Sequence, residues 1–221
     1  MPPPDFTSPL TFKTFNTIPS TAASPPPPSE TYYLLAEIKE NLSLTRPTLI
    51  CSDLSSTSFA LTWSDLHASP HASDVDFKAL GLKKGNCVLL PNAKRTDSSD
   101  EVKQGKIVIP GGKDEWQGKS GLRVIPGKLE KVVEVGQDWE FVIEEGEGKC
   151  GSCGKEGREE ELAKCTGCRG VGYCSKVCLS LLNIRNDDAN GGEQECQVKG
   201  WAEGGHKSTC KIIKTFKEIW P

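Results

Sequence analysis

The chain has 221 residues, ten cysteines, fifteen prolines and a formal net charge of −3. That length holds one or two domains, and a slightly acidic chain excludes broad electrostatic capture of nucleic acid. No apolar run approaches the roughly 20 residues that cross a membrane as a helix.

Residues 1–29 hold nine of the fifteen prolines, including Pro25–Pro28, in a background of Ser, Thr and Ala. Such a composition buries little apolar surface, and the expectation is a disordered proline-rich tail. The segment has no apolar core of the kind a secretory signal needs, and no arginine of the kind a transit peptide carries. The expected location is intracellular, cytoplasmic or nuclear. In a reducing compartment, cysteine clusters are metal sites more often than disulfides.

The texture changes at Tyr32, and a β-rich domain is expected over 30–143. Tyr32–Ile38 reads as a strand or a short helix. Thr48–Cys51 and Ser58–Trp63 read as a strand pair turning at Ser52–Ser56. Asp76–Leu82 reads as one or two helical turns ending near Gly81, and Cys87–Leu90 as a buried strand. Further strands are expected at Lys106–Ile109, Leu122–Ile125 and Leu129–Val135, punctuated by Pro110-Gly111-Gly112, Pro126-Gly127 and Gly136. Cys51 and Cys87 sit among apolar residues and read as buried core thiols. His67 and His71 have Pro70 between them, which argues against a shared helical face and a site there. Short strands with one helix after the third predict a small closed barrel. That order, together with Leu82–Lys94, resembles an OB-fold over roughly residues 32–136. The resemblance implies a face able to stack single-stranded bases on Phe59 or Trp63. No basic stripe accompanies these aromatics, and core packing is the favoured reading.

Residues 144–149, acidic and glycine-rich, read as a linker. Beyond it, eight of the ten cysteines fall between Cys150 and Cys210. Cys150 pairs with Cys153 and Cys165 with Cys168 as C-x2-C. Cys174 and Cys178 form C-x3-C, His206 and Cys210 form H-x3-C, and Cys196 stands apart. Zinc takes four soft or borderline donors in a tetrahedron, and a structural site leaves no position open. Four such pairs therefore make two sites, for two Zn²⁺ ions. These spacings favour zinc over disulfides or merely buried thiols.

The order C-x2-C, C-x2-C, Tyr-C-x3-C-Gln, Trp, H-x3-C resembles the MYND-type zinc finger. Cys150, Cys153, Cys165, Cys168, Tyr173, Cys174, Gln197, Trp201, His206 and Cys210 carry the resemblance over 150–210. It implies interleaved sites: Cys150 and Cys153 with Cys174 and the next cysteine, Cys165 and Cys168 with His206 and Cys210. Cross-bracing suits a domain too small for an adequate apolar core, and metal-binding energy then becomes folding energy. The resemblance further implies a docking module for short proline-containing peptides of protein partners, with Gln197 and Trp201 in the groove. Trp201 as core packing between the zinc sites is the equal alternative. Residues 211–221 read as a last helix, with Ile212, Ile213, Phe216, Ile219 and Trp220 on one face. The expected class is α+β: a small, mostly-β, OB-like domain followed by a cross-braced two-zinc finger with short helices.

One departure from the family pattern stands out. Gln is expected directly after the C-x3-C cysteine, yet Cys178 is followed by Leu179, and Cys-Gln appears only at Cys196-Gln197. Removing Val177–Gln194, 18 residues, joins Tyr173-Cys174-Ser175-Lys176 to Glu195-Cys196-Gln197 and restores the pattern. Valine codons begin GT, a glutamine codon can be CAG, and Ala189-Asn190 can be written GCTAAC, containing a branch-point sequence. A short intron translated in frame accounts for all of this. The rival is a surface insertion, uncommon at that length but cheap in loop-closure entropy. Cys178 and Cys196 remain alternatives for one ligand position.

From 150 to 221 there are eleven Lys and Arg against ten Asp and Glu. Seven thiolates and two Zn²⁺ bring the finger to about −2, a poor match for phosphate. No segment holds a SET methyltransferase domain beside the finger, a Gly-rich phosphate loop or the C-x-H-x2-C centre of a RING ligase. The expectation is a zinc-binding interaction module and not an enzyme. Single-stranded nucleic-acid binding through the β domain is the alternative; neither reading involves a membrane.

Overall fold

The structure, a computed structural model, describes residues 4–22, 31–42, 47–63, 77–97, 105–109, 121–139, 149–154, 156, 162–174, 200–201 and 204–221. His67, His71, most of the predicted linker, Cys178, Cys196, Gln197 and the whole of Val177–Gln194 lie outside them. The chain divides into two compact units, Pro4–Val133 and Glu134–Pro221. Among the described residues no helix is long and apolar enough to cross a membrane.

The first unit is built on one seven-stranded sheet. Its strands are β1 (Phe12–Lys13), β2 (Tyr33–Asn41), β3 (Thr48–Asp53), β4 (Ser58–Trp63), β5 (Cys87–Pro91), β6 (Lys106–Ile109) and β7 (Arg123–Ile125). They run in the order β6-β4-β3-β2-β5-β7, with β1 beside β2. Pairing is antiparallel except for β1 with β2 and β4 with β6. The sheet curls into a half-barrel. Alternation explains the curl's inner face: Leu49, Cys51 and Asp53 on β3, and Phe59, Leu61 and Trp63 on β4, point inward. β2 and β5 are buried along most of their length, the pattern of central strands. Phe59 is 0% and Trp63 2% exposed, so both fill the core. The register of β2 on β3 shifts between Ile38 and Glu40, a bulge that sharpens the local bend.

Two sequence expectations in this unit change. Residues 4–22 are ordered and not part of a disordered tail. Phe6, Phe12, Phe15 and Ile18 are buried, and the Phe15 ring stacks on Phe59 at 4.9 Å. The Phe15 N–H donates to the Asp53 carboxylate at 2.6 Å, the Thr21 N–H to the Arg95 carbonyl at 2.8 Å, and Arg95 itself donates to the Asn16 carbonyl. Bulk composition hid four large apolar side chains spaced among the prolines. Leu129–Val135 is helical and not a strand. It belongs to α1 (Leu129–Gln137). Val132 and Val135, three apart, are buried, and Lys131 and Glu134 are not. That is a helical period that β-branched content masked. The Glu37 carboxylate accepts the Leu129 N–H at 3.1 Å and so caps α1. Within Asp76–Leu82, the described part is a turn closed like a helix end. The Leu82 N–H donates to the Phe77 carbonyl at 2.8 Å and the Gly81 N–H to the Lys78 carbonyl at 3.1 Å, with Gly81 at φ 71°.

The second unit carries the end of α1, a hairpin of β8 (Leu162–Lys164) and β9 (Gly172–Cys174), and α2 (His206–Ile219). On α2, His206, Cys210, Ile213 and Phe216 are buried. Phe216 meets Trp139 and Trp220 edge-on, at 5.2 and 5.3 Å between centroids. These three aromatics make the unit's apolar floor. The helix starts at His206, ahead of the expected 211, and its first turns carry the buried His206 and Cys210.

Candidate metal centre

Two cysteine knuckles are built on the β8–β9 hairpin, one packed along β9 and one forming its loop. The first is Cys150–Gly154. The Gly151 N–H donates to the Gly172 carbonyl at 2.8 Å, laying the knuckle along β9. The second runs from Cys165 to Gly170. Its start is tied to the hairpin by the Cys165 N–H donating to the Val171 carbonyl, and it closes with the Arg169 N–H on the Cys165 carbonyl, both at 2.8 Å. Arg169 takes φ 54° to make that turn. The Gly170 N–H then points at the Cys168 sulfur, 3.4 Å away. Helix α2 sits directly on this knuckle. A Cβ on Gly170 would lie 2.7 Å from Ile213 Cγ2, so only glycine lets the helix approach.

This local folding gathers Cys165, Cys168, His206 and Cys210 into one group, and Cys150, Cys153 and Cys174 into another. Within each group the donor atoms lie within 4.8 Å of one another. The Cys165 and Cys210 sulfurs are 3.8 Å apart, the Cys153 and Cys174 sulfurs 3.7 Å, and Cys168 Sγ to His206 Nε2 3.5 Å. A disulfide needs about 2.0 Å. Zn–S bonds of about 2.3 Å and a Zn–N bond of about 2.0–2.1 Å at tetrahedral angles set S···S near 3.8 Å and S···N near 3.6 Å. The spacing is therefore that of tetrahedral edges. Two Cys/His groups can hold metal ions, and three thiols with one imidazole suit zinc better than harder cations. The expected fourth donor to the second group, Cys178 or Cys196, is outside the described residues.

Burial governs how these donors hold their protons. Burial pushes the Cys210 thiol up to about 12 and raises Cys168 as well. Burial acts to raise Cys165 too, but the N–H groups of Cys168 and Gly167 outweigh it and leave this thiol below its ordinary value. Burial lowers His206 and so favours the neutral imidazole, which has a lone pair to give. Clustered thiols that resist ionisation alone ionise when a metal binds them. Tyr173 is buried between the groups. Burial first, and then the nearby thiols of Cys165, Cys168, Cys210 and Cys150, raise its hydroxyl. Cys51 and Cys87 belong to the other unit. They are fully buried, each pushed up to about 12, and the Cys87 thiol donates to the Gly127 carbonyl at 3.2 Å.

Trp201 is 38% exposed, and its ring meets His206 edge-on at 5.5 Å. Gln197 lies outside the described residues. Sequence reasoning missed a cleft of about 450 Å³ whose walls include Val135, Asp138, Val171, His206, Thr209 and Ile213. Its residues come from α1 and the residue after it, the first knuckle, the β8–β9 loop and α2, so no local pattern announces it. No family model matches the chain, and no curated protein matches it.

Proposed function

We propose that the C-terminal unit is a MYND-type finger holding two Zn²⁺ ions, and that it docks short proline-containing segments of intracellular protein partners. The observation that carries this reading is the interleaving. Cys174 of β9 joins the first knuckle's group, while α2 supplies His206 and Cys210 to the second. Cys165, Cys168, His206 and Cys210 would hold one ion, and Cys150, Cys153 and Cys174 the other. The zinc supplies structure: it fixes hairpin, knuckles and helix to one another. Cys165, Cys168, His206 and Cys210 make a four-donor shell, and Cys178 or Cys196 would complete the other; such shells leave no coordination position open for substrate, which argues for a binding module and against an enzyme. Trp201 supports the docking role. A large, partly exposed aromatic is the residue type that lines grooves for proline-rich segments.

The first unit is proposed to be OB-like. The meander β2-β3-β4, the parallel β4–β6 pair and the antiparallel β2–β5 pair support this, being the connections of a partly open Greek-key barrel. The alternative, single-stranded nucleic-acid binding, loses its stacking residues to the core, since Phe59 and Trp63 are buried. The test is titration calorimetry with proline-containing peptides selected from a display library. Binding that disappears on chelation and in Trp201→Ala supports the reading. Binding that survives both, or oligonucleotide binding in place of peptide binding, overturns it.

A further inference from the structure

The two donor groups differ in how far water reaches them. Cys165, Cys168, His206 and Cys210 are all buried. In the other group Cys150 is buried, Cys174 is half-buried and Cys153 is exposed. The cause is local. Helix α2 covers the second knuckle so closely that a Cβ on Gly167 would lie 2.9 Å from the Cys210 sulfur. The first knuckle turns through Gly154 at φ 69°, where an added Cβ would meet nothing within 4 Å. The sulfurs of Cys153 and Cys174 are 3.7 Å apart. A closure of about 1.7 Å takes them to disulfide length. Thiolates that solvent reaches are also the ones that oxidants reach.

We propose that the Cys150, Cys153 and Cys174 group is an oxidant-sensitive, metal-releasing site. Cys153 and Cys174 are the reacting pair, and a hydroperoxide, with hydrogen peroxide as the simplest case, is the oxidant. The Cys165, Cys168, His206 and Cys210 group keeps its metal. The inference rests on the zinc reading above. In the reaction, the exposed Cys153 thiolate attacks one peroxide oxygen. An S–O bond forms, the O–O bond breaks, and hydroxide leaves and takes a proton from solvent. The Cys174 thiolate then attacks the sulfenic sulfur. The S–S bond forms, the S–O bond breaks, and a second hydroxide leaves and is protonated. The two thiolates lose two electrons and peroxide is reduced to two waters; a metal ion held there would lose two of its donors. Because Cys174 ends β9, and β9 carries the first knuckle, loss of this ion loosens one side of the finger while the α2 side stays clamped.

The test uses the full chain loaded with zinc and treated with hydrogen peroxide. Released metal is followed with a chromophoric chelator, and disulfides are mapped by mass spectrometry. One equivalent of zinc should leave about tenfold faster than the second or more, with a Cys153–Cys174 bridge forming in step and Cys165, Cys168 and Cys210 still reduced. Two equivalents leaving together, a first bridge between Cys165 and Cys210, or release without any Cys153–Cys174 bridge would overturn the inference alone. Fewer than two zinc ions before oxidant is added would overturn the zinc reading and this inference with it. The wild-type chain carries every readout, so no variant needs to fold.

Discussion

Asp53→Ala should unseat the N-terminal segment from the β unit. The Asp53 carboxylate is 1% exposed and accepts the N–H groups of Phe15 (2.6 Å), Ser55 (2.9 Å) and Thr57 (2.9 Å), as well as the Ser55 hydroxyl (2.9 Å). The Ser55 and Thr57 amides belong to a half-exposed turn that water can serve, so losing those bonds costs about 0.5–1 kcal/mol each. The Phe15 amide bond is buried and runs to a charged acceptor, and losing it costs about 2 kcal/mol. The total is about 3–4 kcal/mol, or about a 10 °C drop in melting temperature for a unit of this size. Urea unfolding measures the total. Hydrogen exchange locates it: amides of residues 11–18 should lose protection before the rest of the sheet. A cost under about 1 kcal/mol, or protection unchanged at Phe15, would refute the reasoning. It would also return residues 4–22 to the status of a tail.

Glu37→Gln should weaken the start of α1 by about 1 kcal/mol, read by chemical denaturation at pH 7. Burial acts to raise the Glu37 carboxyl, but the Lys39 ammonium and the Leu129 N–H outweigh it and hold it below its usual value. Its contribution is therefore present above the unfolded value of 4.5 and is lost as pH falls through the lower folded value. The stability difference between wild type and variant should vanish in acid; a gap that persists at pH 2 would contradict this. Cys168→Ser and His206→Ala should each unfold the second unit by near-ultraviolet circular dichroism while leaving the sheet of the first intact. A second unit unchanged in both would mean that metal does not hold it. Mature messenger RNA should lack the 54 nucleotides encoding Val177–Gln194. Their presence in every transcript would sink the intron idea and favour Cys178 as the ligand.

Much of the strand pattern was legible because each strand announces itself locally. Ser58–Trp63 alternates, Cys87–Leu90 is a continuous apolar run, and the turn at Ser52–Ser56 lies between two β-rich stretches. The metal groups were legible from cysteine spacing, although spacing alone could not say which knuckle joins which later donor. What stayed hidden depends on distant partners. The N-terminal segment is ordered by Asp53 and Arg95, far along the chain, so its proline content misled. The strand expected at Leu129–Val135 gives way to a helix that Glu37 caps from β2, a partner far away in the sequence. The unequal burial of Cys153 and Cys168 arises from how α2 covers one knuckle, which no spacing records.

Native mass spectrometry of the full chain, purified under reducing conditions, tests the central claim most directly. The account predicts a mass of the polypeptide plus two Zn²⁺ ions, with both ions lost on acidification and no disulfide mass deficit. A mass with one zinc or none, or with cysteines of either group joined as disulfides in the purified protein, would contradict it.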